Sequence, residues 1–294
     1  MREDDLRPSG NIEDRRGGGG RGFTARGGGL GIGAVLVLTL LGWALGIDPS
    51  ALIGGAEMVA GGGNGAVTQS APARTGTPND QVGNFVARVL GETEDVWSEV
   101  LPAQANRQYE KPVLVLFSGA TRSGCGTAQS AMGPFYCPLD HKLYLDTSFF
   151  QDMQRRFGGG GDFAYAYVIS HEVGHHVQNL IGLLPKVQRA QRDAPDRATA
   201  NAISVRVELM ADCFAGVWAN KMNQRHNNID ENDVREAVRA ASAIGDDRLE
   251  KRSQGYAVPD SFTHGTSRQR VYWLTTGLKT GSMKACDTFQ AQTP

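Results

Sequence analysis

Residues 30–47, LGIGAVLVLTLLGWALGI, are eighteen uncharged and mostly apolar residues in a row. A helix of that length rises about 27 Å, close to the thickness of a hydrocarbon core. The run is apolar on every side and its flanks are Gly-rich and polar, which suits a transmembrane helix better than a helix buried in a globular core. Six arginines precede it (Arg2, Arg7, Arg15, Arg16, Arg21 and Arg26), and only Arg74 appears in the thirty-odd residues after it. The positive-inside rule then predicts a cytoplasmic N-terminus and an extracytoplasmic remainder. A cleaved signal peptide fits less well: the polar segment ahead is long, and no small-x-small site comes directly after the apolar run.

This run divides the chain. Residues 1–29 read as an Arg/Gly-rich cytoplasmic segment, 30–47 as the span and 48–80 as a flexible linker dominated by Gly, Ala, Ser, Thr and Pro. Residues 81–294 have the composition of one folded domain. The formal net charge is -1, so charge balance points to no nucleic-acid partner. Four cysteines (Cys125, Cys137, Cys213 and Cys286) in an exported domain suggest two disulfides. Of the three possible pairings, Cys125 with Cys137 and Cys213 with Cys286 is favoured: the first closes a short loop, the second ties the last segment to a central helix.

Within the domain, helical spacing of apolar residues marks 81–101, and short apolar runs mark strands at 111–119 and 142–146. Further helices are expected at 147–158, from Asp162 as N-cap to about Gly182, at 204–222, at 230–245 with Asp230 as N-cap, and in the tail from 259. The expected fold class is α+β, mostly helical with a small sheet.

The third of these helices carries ISHEVGHHVQN. At about 100° per residue, His171 and His175 point within about 40° of each other, so both rings can reach one ion. Glu172, offset by one position, can approach a metal-bound water without being a ligand. His176 lies about 140° from His171 and is left out of the site, as a partner-bonded or surface histidine. Gly174 leaves room for another backbone or a substrate. A catalytic zinc usually takes three protein ligands and one open position. VELMADCFAG offers Glu208 and Asp212, four apart on one helical face. Glu208 is assigned as third ligand, and Asp212 as the acceptor that orients a ligand histidine. One Zn2+ per chain is expected.

HExxH followed by a helical ExxAD resembles a gluzincin-type, zincin-like metallopeptidase. More closely, the chain resembles the bacterial "putative neutral zinc metallopeptidase" family (YpfJ-like). NIEDRRG, GLGIG, GIDPS, GPFYCPLDHKLYLD, SHEVGHHVQN, VELMADCFAGVWA, HGTSRQR and CDTF carry the resemblance over nearly the whole chain. The first ten residues, MREDDLRPSG, depart from the family's more basic start. The resemblance implies a single-pass protein of the bacterial inner membrane whose exported zinc domain hydrolyses polypeptides. HGTSRQR also resembles the HPxxxxR element of other membrane-linked zinc peptidases, with Gly265 in place of proline. By that likeness His264 is the expected oxyanion donor, with Arg270 as its support or a substrate clamp. By fold-level analogy, 142–146 is expected at a sheet edge where an extended peptide docks, framed by Tyr136 and Cys137. The alternative from another class is a catalytically silent, zinc-bound membrane scaffold.

Overall fold

The computed structural model describes residues 1–16, 73–157 and 160–292. The expected transmembrane helix at 30–47 lies outside them, as does most of the expected linker. Among the described residues no helix is long and apolar enough to cross a membrane. Residues on both sides of the 17–72 segment fold into one compact unit. The expected boundaries at 29 and 81 therefore do not delimit the domain. Residues 1–16 belong to it, because they supply a strand to its sheet.

That sheet has five strands: β1 (Ile12–Asp14), β2 (Arg74–Thr75), β3 (Val113–Phe117), β6 (Phe135–Cys137) and β7 (Lys142–Asp146). Their spatial order is β2-β1-β3-β7-β6. β1, β3 and β7 run parallel; β2 and β6 are antiparallel to their neighbours at the two edges. The stretch 142–146 is therefore an interior strand, not the edge expected for it. The edge is β6, which antiparallel pairing to β7 places outermost. A separate hairpin, β4 (Ala120–Ser123) and β5 (Gly126–Gln129), has no counterpart in the expected elements.

The sheet is covered on both faces, which explains why VLVLF is a continuous apolar run. Leu114, Leu116, Leu143 and Leu145 point into the main core with the helices. Val115, Phe117 and Tyr144 point the other way, with Ala128 of the hairpin and Cys137. This is the two-residue alternation of a strand acting on both its faces.

Eight α-helices complete the described unit: α1 (Gln81–Ala105), α2 (Ser148–Asp152), α3 (Asp162–Leu180), α4 (Leu183–Arg192), α5 (Arg197–His226), α6 (Glu231–Ala243), α7 (Asp246–Gln254) and α8 (Ser267–Thr280). α1 starts where Asp80 accepts from the Gly83 N–H and ends at Asn106, which adopts a left-handed conformation. Its apolar stripe (Phe85, Val86, Val89, Leu90, Val96, Trp97 and Leu101) is buried as its period predicts, although Val82 is exposed. The helix expected over 147–158 is shorter: α2 gives way to a π turn over Met153–Phe157. In α3 the N-cap is Gly161, and Asp162 is the first helical residue, where a carboxylate faces the positive end of the dipole. α5 outruns the expected 204–222 at both ends. Asp196 caps it through the Thr199 N–H, and Asn227 closes it in left-handed geometry. The loop expected before it contains α4, of which only Val187 is buried. Asp230 caps α6 as expected. α5 lies between α3 and α8. Both disulfides of the favoured pairing are present, Cys125–Cys137 at a Cα separation of 5.8 Å and Cys213–Cys286 at 5.5 Å. The second links α5 to the turn after α8.

Candidate metal centre

The centre is built where α3 and α5 touch. They approach closely at Gly174. A Cβ there would meet the Ala211 carbonyl oxygen at 3.1 Å and its Cα at 3.2 Å, tighter than ordinary contact. The room left by Gly174 is thus filled by the α5 backbone, between Glu208 and Asp212. With the helices this close, one turn of α3 faces one turn of α5.

His171 Nε2 lies 3.1 Å from Glu208 Oε2, and His175 Nε2 lies 3.4 Å from Glu208 Oε1. One donor atom from each of the three residues falls within 4.8 Å of the others. Two imidazoles and a carboxylate are the donor set of a three-ligand catalytic zinc. The fit to a metal is judged on the side chains themselves. Each imidazole turns its Nε2 inward because its Nδ1 is engaged elsewhere. His171 Nδ1 meets Asp212 Oδ1 at 2.9 Å, and His175 Nδ1 meets Gln178 Oε1 at 2.9 Å. Gln178 in turn donates to the Val207 carbonyl, 2.7 Å away and next to Glu208. Glu172 is buried beside this set, and its Oε2 has no hydrogen-bond partner. Burial pushes the Glu172 carboxyl above its usual range, against the pull of the two histidines. The set therefore fits a metal ion, with the unpartnered Glu172 carboxyl buried beside it.

Asp212 is fully buried and takes four hydrogen bonds. Oδ1 accepts from His171, from the Tyr167 hydroxyl at 2.5 Å and from Arg270 at 2.9 Å; Oδ2 accepts from Arg270 Nε at 2.9 Å. Arg270 also reaches the Tyr167 hydroxyl at 3.2 Å and the Ile244 carbonyl at 3.3 Å. Burial alone would raise the Asp212 carboxyl; Arg270 and His171 outweigh it and bring it to about 2. Burial likewise disfavours the His171 imidazolium, but Asp212 and Glu208 hold it up to about 10. The structure places Arg270 on Asp212, buried in the core, and not at His264 or in an open cleft as the sequence likeness suggested.

His264 sits on the loop before α8. This loop packs on α5: a Cβ on Gly265 would meet Val205 and Leu209, each at 3.2 Å, on either side of Glu208. Gly265 has φ +89°, which proline cannot adopt, so glycine is required where the related element carries proline. His264 is half exposed. Its Nδ1 lies 3.2 Å from Asp246 Oδ1, while Asp246 Oδ2 accepts the backbone N–H groups of Thr263, His264 and Gly265. Burial opposes the His264 imidazolium, but Asp246 and then Glu208 outweigh it and raise its pKa. Asp246 thus holds His264 by its Nδ1 and its backbone N–H, on a loop that packs against the α5 turn carrying Glu208.

His176 is separate from the centre, as its angle predicts, and is bonded to partners. Its Nε2–H donates to the Glu110 carbonyl at 2.6 Å. Its Nδ1 accepts from Tyr136 at 3.1 Å, whose hydroxyl oxygen accepts from Asn179 at 3.0 Å. Burial depresses its pKa to about 4 and keeps it neutral. The network ties α3 to the edge strand β6, so Tyr136 is a buried strut.

Tyr167, Gln178 and Asp246 are absent from the residues read off the sequence. Tyr167 and Gln178 carried a signal: they stand four before His171 and three after His175, on the same helical face. Asp246 carried none, because it reaches His264 only through the packing of α7 against the next loop.

A profile of the family described as "putative neutral zinc metallopeptidase" matches residues 1–289. The uncharacterized protein YpfJ of Escherichia coli K12 is 45% identical over 98% of this chain and 99% of its own length. An uncharacterized protein of Mycobacterium tuberculosis H37Rv is 41% identical over 74% of each chain. No solved structure matches the chain.

Proposed function

We propose that this chain, a member of the neutral zinc metallopeptidase family, is a zinc-dependent endopeptidase that cleaves exported polypeptides at the cell membrane. One observation carries the reading. Three donors converge from two helices, and beside them stands a buried carboxylate oxygen, Glu172 Oε2, with nothing to bond to. The apolar run at 30–47 and the two disulfides support the membrane setting and the extracytoplasmic side.

His171, His175 and Glu208 would hold the zinc, which when bound supplies an acidified water and polarises the scissile carbonyl. Glu172, buried beside these ligands with Oε2 unpartnered, would serve as the base that accepts a proton from the attacking water. It then delivers the proton to the departing amine as the C–N bond breaks. A carboxylate raised by burial is suited to both tasks, since it neither holds nor releases the proton too readily. His264 donates from Nε2 to the oxyanion of the tetrahedral intermediate, oriented by Asp246. Asp212, Tyr167 and Arg270 lock His171, and Gln178 locks His175, each with Nε2 inward.

The test is metal analysis and casein cleavage on the full chain. Glu208→Ala should lose the zinc. Glu172→Gln should keep it and lose about 10²–10⁴-fold in cleavage. Undiminished cleavage by Glu172→Gln would overturn the mechanism. Zinc at one per chain with no cleavage by the parent protein would leave a zinc-holding scaffold instead.

A further inference from the structure

The first sixteen residues have no role in the zinc chemistry, yet a receptor for them is built into the domain. The Leu6 and Ile12 side chains and the whole of Ser9 are buried. β1 lies inside the sheet. Its register pairs Ile12 with Leu114 and Asp14 with Leu116, and Gly76 N–H donates to the Ile12 carbonyl at 3.0 Å on the other side. On α1, four residues are shaped for this segment. Arg88 donates to the carbonyls of Glu3, Asp4 and Leu6. Gly91 leaves the space that Arg7 occupies: a Cβ there would meet the Arg7 carbonyl oxygen at 2.0 Å. Glu94, buried, accepts from Ser9 at 2.5 Å and Asn11 at 2.7 Å on one oxygen, and from Arg7 at 2.9 Å on the other. Asp95 accepts from the same Arg7 nitrogen at 2.7 Å and from Arg7 Nε at 3.3 Å.

The two ends of the 17–72 segment are fastened at one place. Asp14 pairs with Arg74 across β1 and β2. Arg16 bonds both Asp14 and Asp80, and Asp80 is the N-cap of α1. A single crossing by 30–47 would hold the chain before it and the chain after it apart by the thickness of a bilayer, about 30 Å. It would put β1 on one side and the sheet that contains it on the other. A charged arm bearing Arg7, Glu13, Asp14, Arg15 and Arg16 does not pass through hydrocarbon to close that gap.

We infer that residues 6–16 are a tethered strand ligand of the peptidase domain, and that they lie on the same face of the membrane as the metal centre. The disulfides mark that face as the oxidising one, so the N-terminal arm is extracytoplasmic. This reverses the orientation read from the arginine asymmetry. The arginines by which the rule would fix a cytoplasmic end include Arg7, Arg15 and Arg16, which are consumed by ion pairs within the fold.

The experiment uses the full chain in its membrane and does not depend on zinc. Asp4 and Lys186 are both exposed. Single variants Asp4→Cys and Lys186→Cys are treated in intact spheroplasts with a membrane-impermeant maleimide, then again after lysis. Both should react before lysis. Reaction of both only after lysis would uphold the shared face and overturn its assignment as extracytoplasmic. Reaction of Lys186→Cys before lysis with Asp4→Cys protected would overturn the inference. In the purified full chain, the amides of residues 12–14 should exchange with deuterium as slowly as those of 113–117. Exchange at the rate of an unfolded peptide would overturn the docking itself.

Discussion

The metal centre and the N-terminal arm are each organised around a buried carboxylate, and they differ in what is left over. Asp212 collects Arg270, Tyr167 and His171; Glu94 collects Arg7, Ser9, Asn11 and Lys111. Each is satisfied on both oxygens. Around Glu94 the polar groups of the cluster are matched to one another, and the result is a fastening. Around Asp212 the matching stops one layer out. Three metal-ligating side chains converge within 4.8 Å of one another, and Glu172 Oε2 is buried with no partner. A buried polar group without a partner costs about 1–3 kcal/mol, so its persistence points to chemistry rather than to stability. The difference separates two clusters that look alike by composition.

Breaking each cluster tests that distinction. Arg270→Met should have the largest effect, about 3–5 kcal/mol, because it leaves Asp212 buried with its main counter-charge gone. Urea denaturation measures the loss, and a destabilisation under about 1 kcal/mol would refute the assigned role. At the arm, Gly91→Val cannot coexist with the Arg7 carbonyl. It should release Leu6 and Ile12, each contributing roughly 1.5–3 kcal/mol when buried, and after the regained disorder cost about 3 kcal/mol. Its zinc stoichiometry should not change, which is what distinguishes a fastening from a site.

His176 gives the comparison a pH axis. Its pKa is about 4 in the fold against an ordinary 6.5, so the unfolded chain takes up a proton first as pH falls. The stability it contributes is complete above pH 6.5 and declines as pH drops towards 4, by about 3 kcal/mol in all. His176→Gln cannot titrate, and its stability should lack that part of the acid slope in urea midpoints taken from pH 7 to pH 4. The smallest effect is expected at Gln178. Gln178→Leu leaves His175 Nδ1 without an acceptor and should weaken zinc binding about 10–100-fold by competition with a chelator, with the fold intact. Gln178→Glu, which keeps an acceptor, should recover most of that loss. Equal affinity in both variants would remove Gln178 from the centre.

How far the centre was readable depends on distance along the chain. His171, Glu172 and His175 lie within about one helical turn, and Glu208 and Asp212 within another, so local periodicity alone orients each group. Tyr167 and Gln178 obey the same periodicity, but a tyrosine or glutamine on a helix face has many ordinary uses. Asp246 and the true partner of Arg270 could not be read, since each meets its partner across a helix packing. The arm was the least legible. IED is too short to show alternation, and its partner strand lies about a hundred residues on.

Residue order alone located the main helices and their ligand-bearing faces, because these depend on spacing within single elements, and it favoured one cysteine pairing among three. Tertiary packing decided which face of α3 meets which face of α5, that β7 is interior, that Arg270 serves Asp212, and that sixteen residues from the far side of an apolar run complete the sheet. The physical reason is the same in each case. Backbone geometry repeats every few residues and can be read locally, whereas the choice of partner for a buried charge or an unpaired strand is made by whatever the rest of the chain brings within about 3 Å.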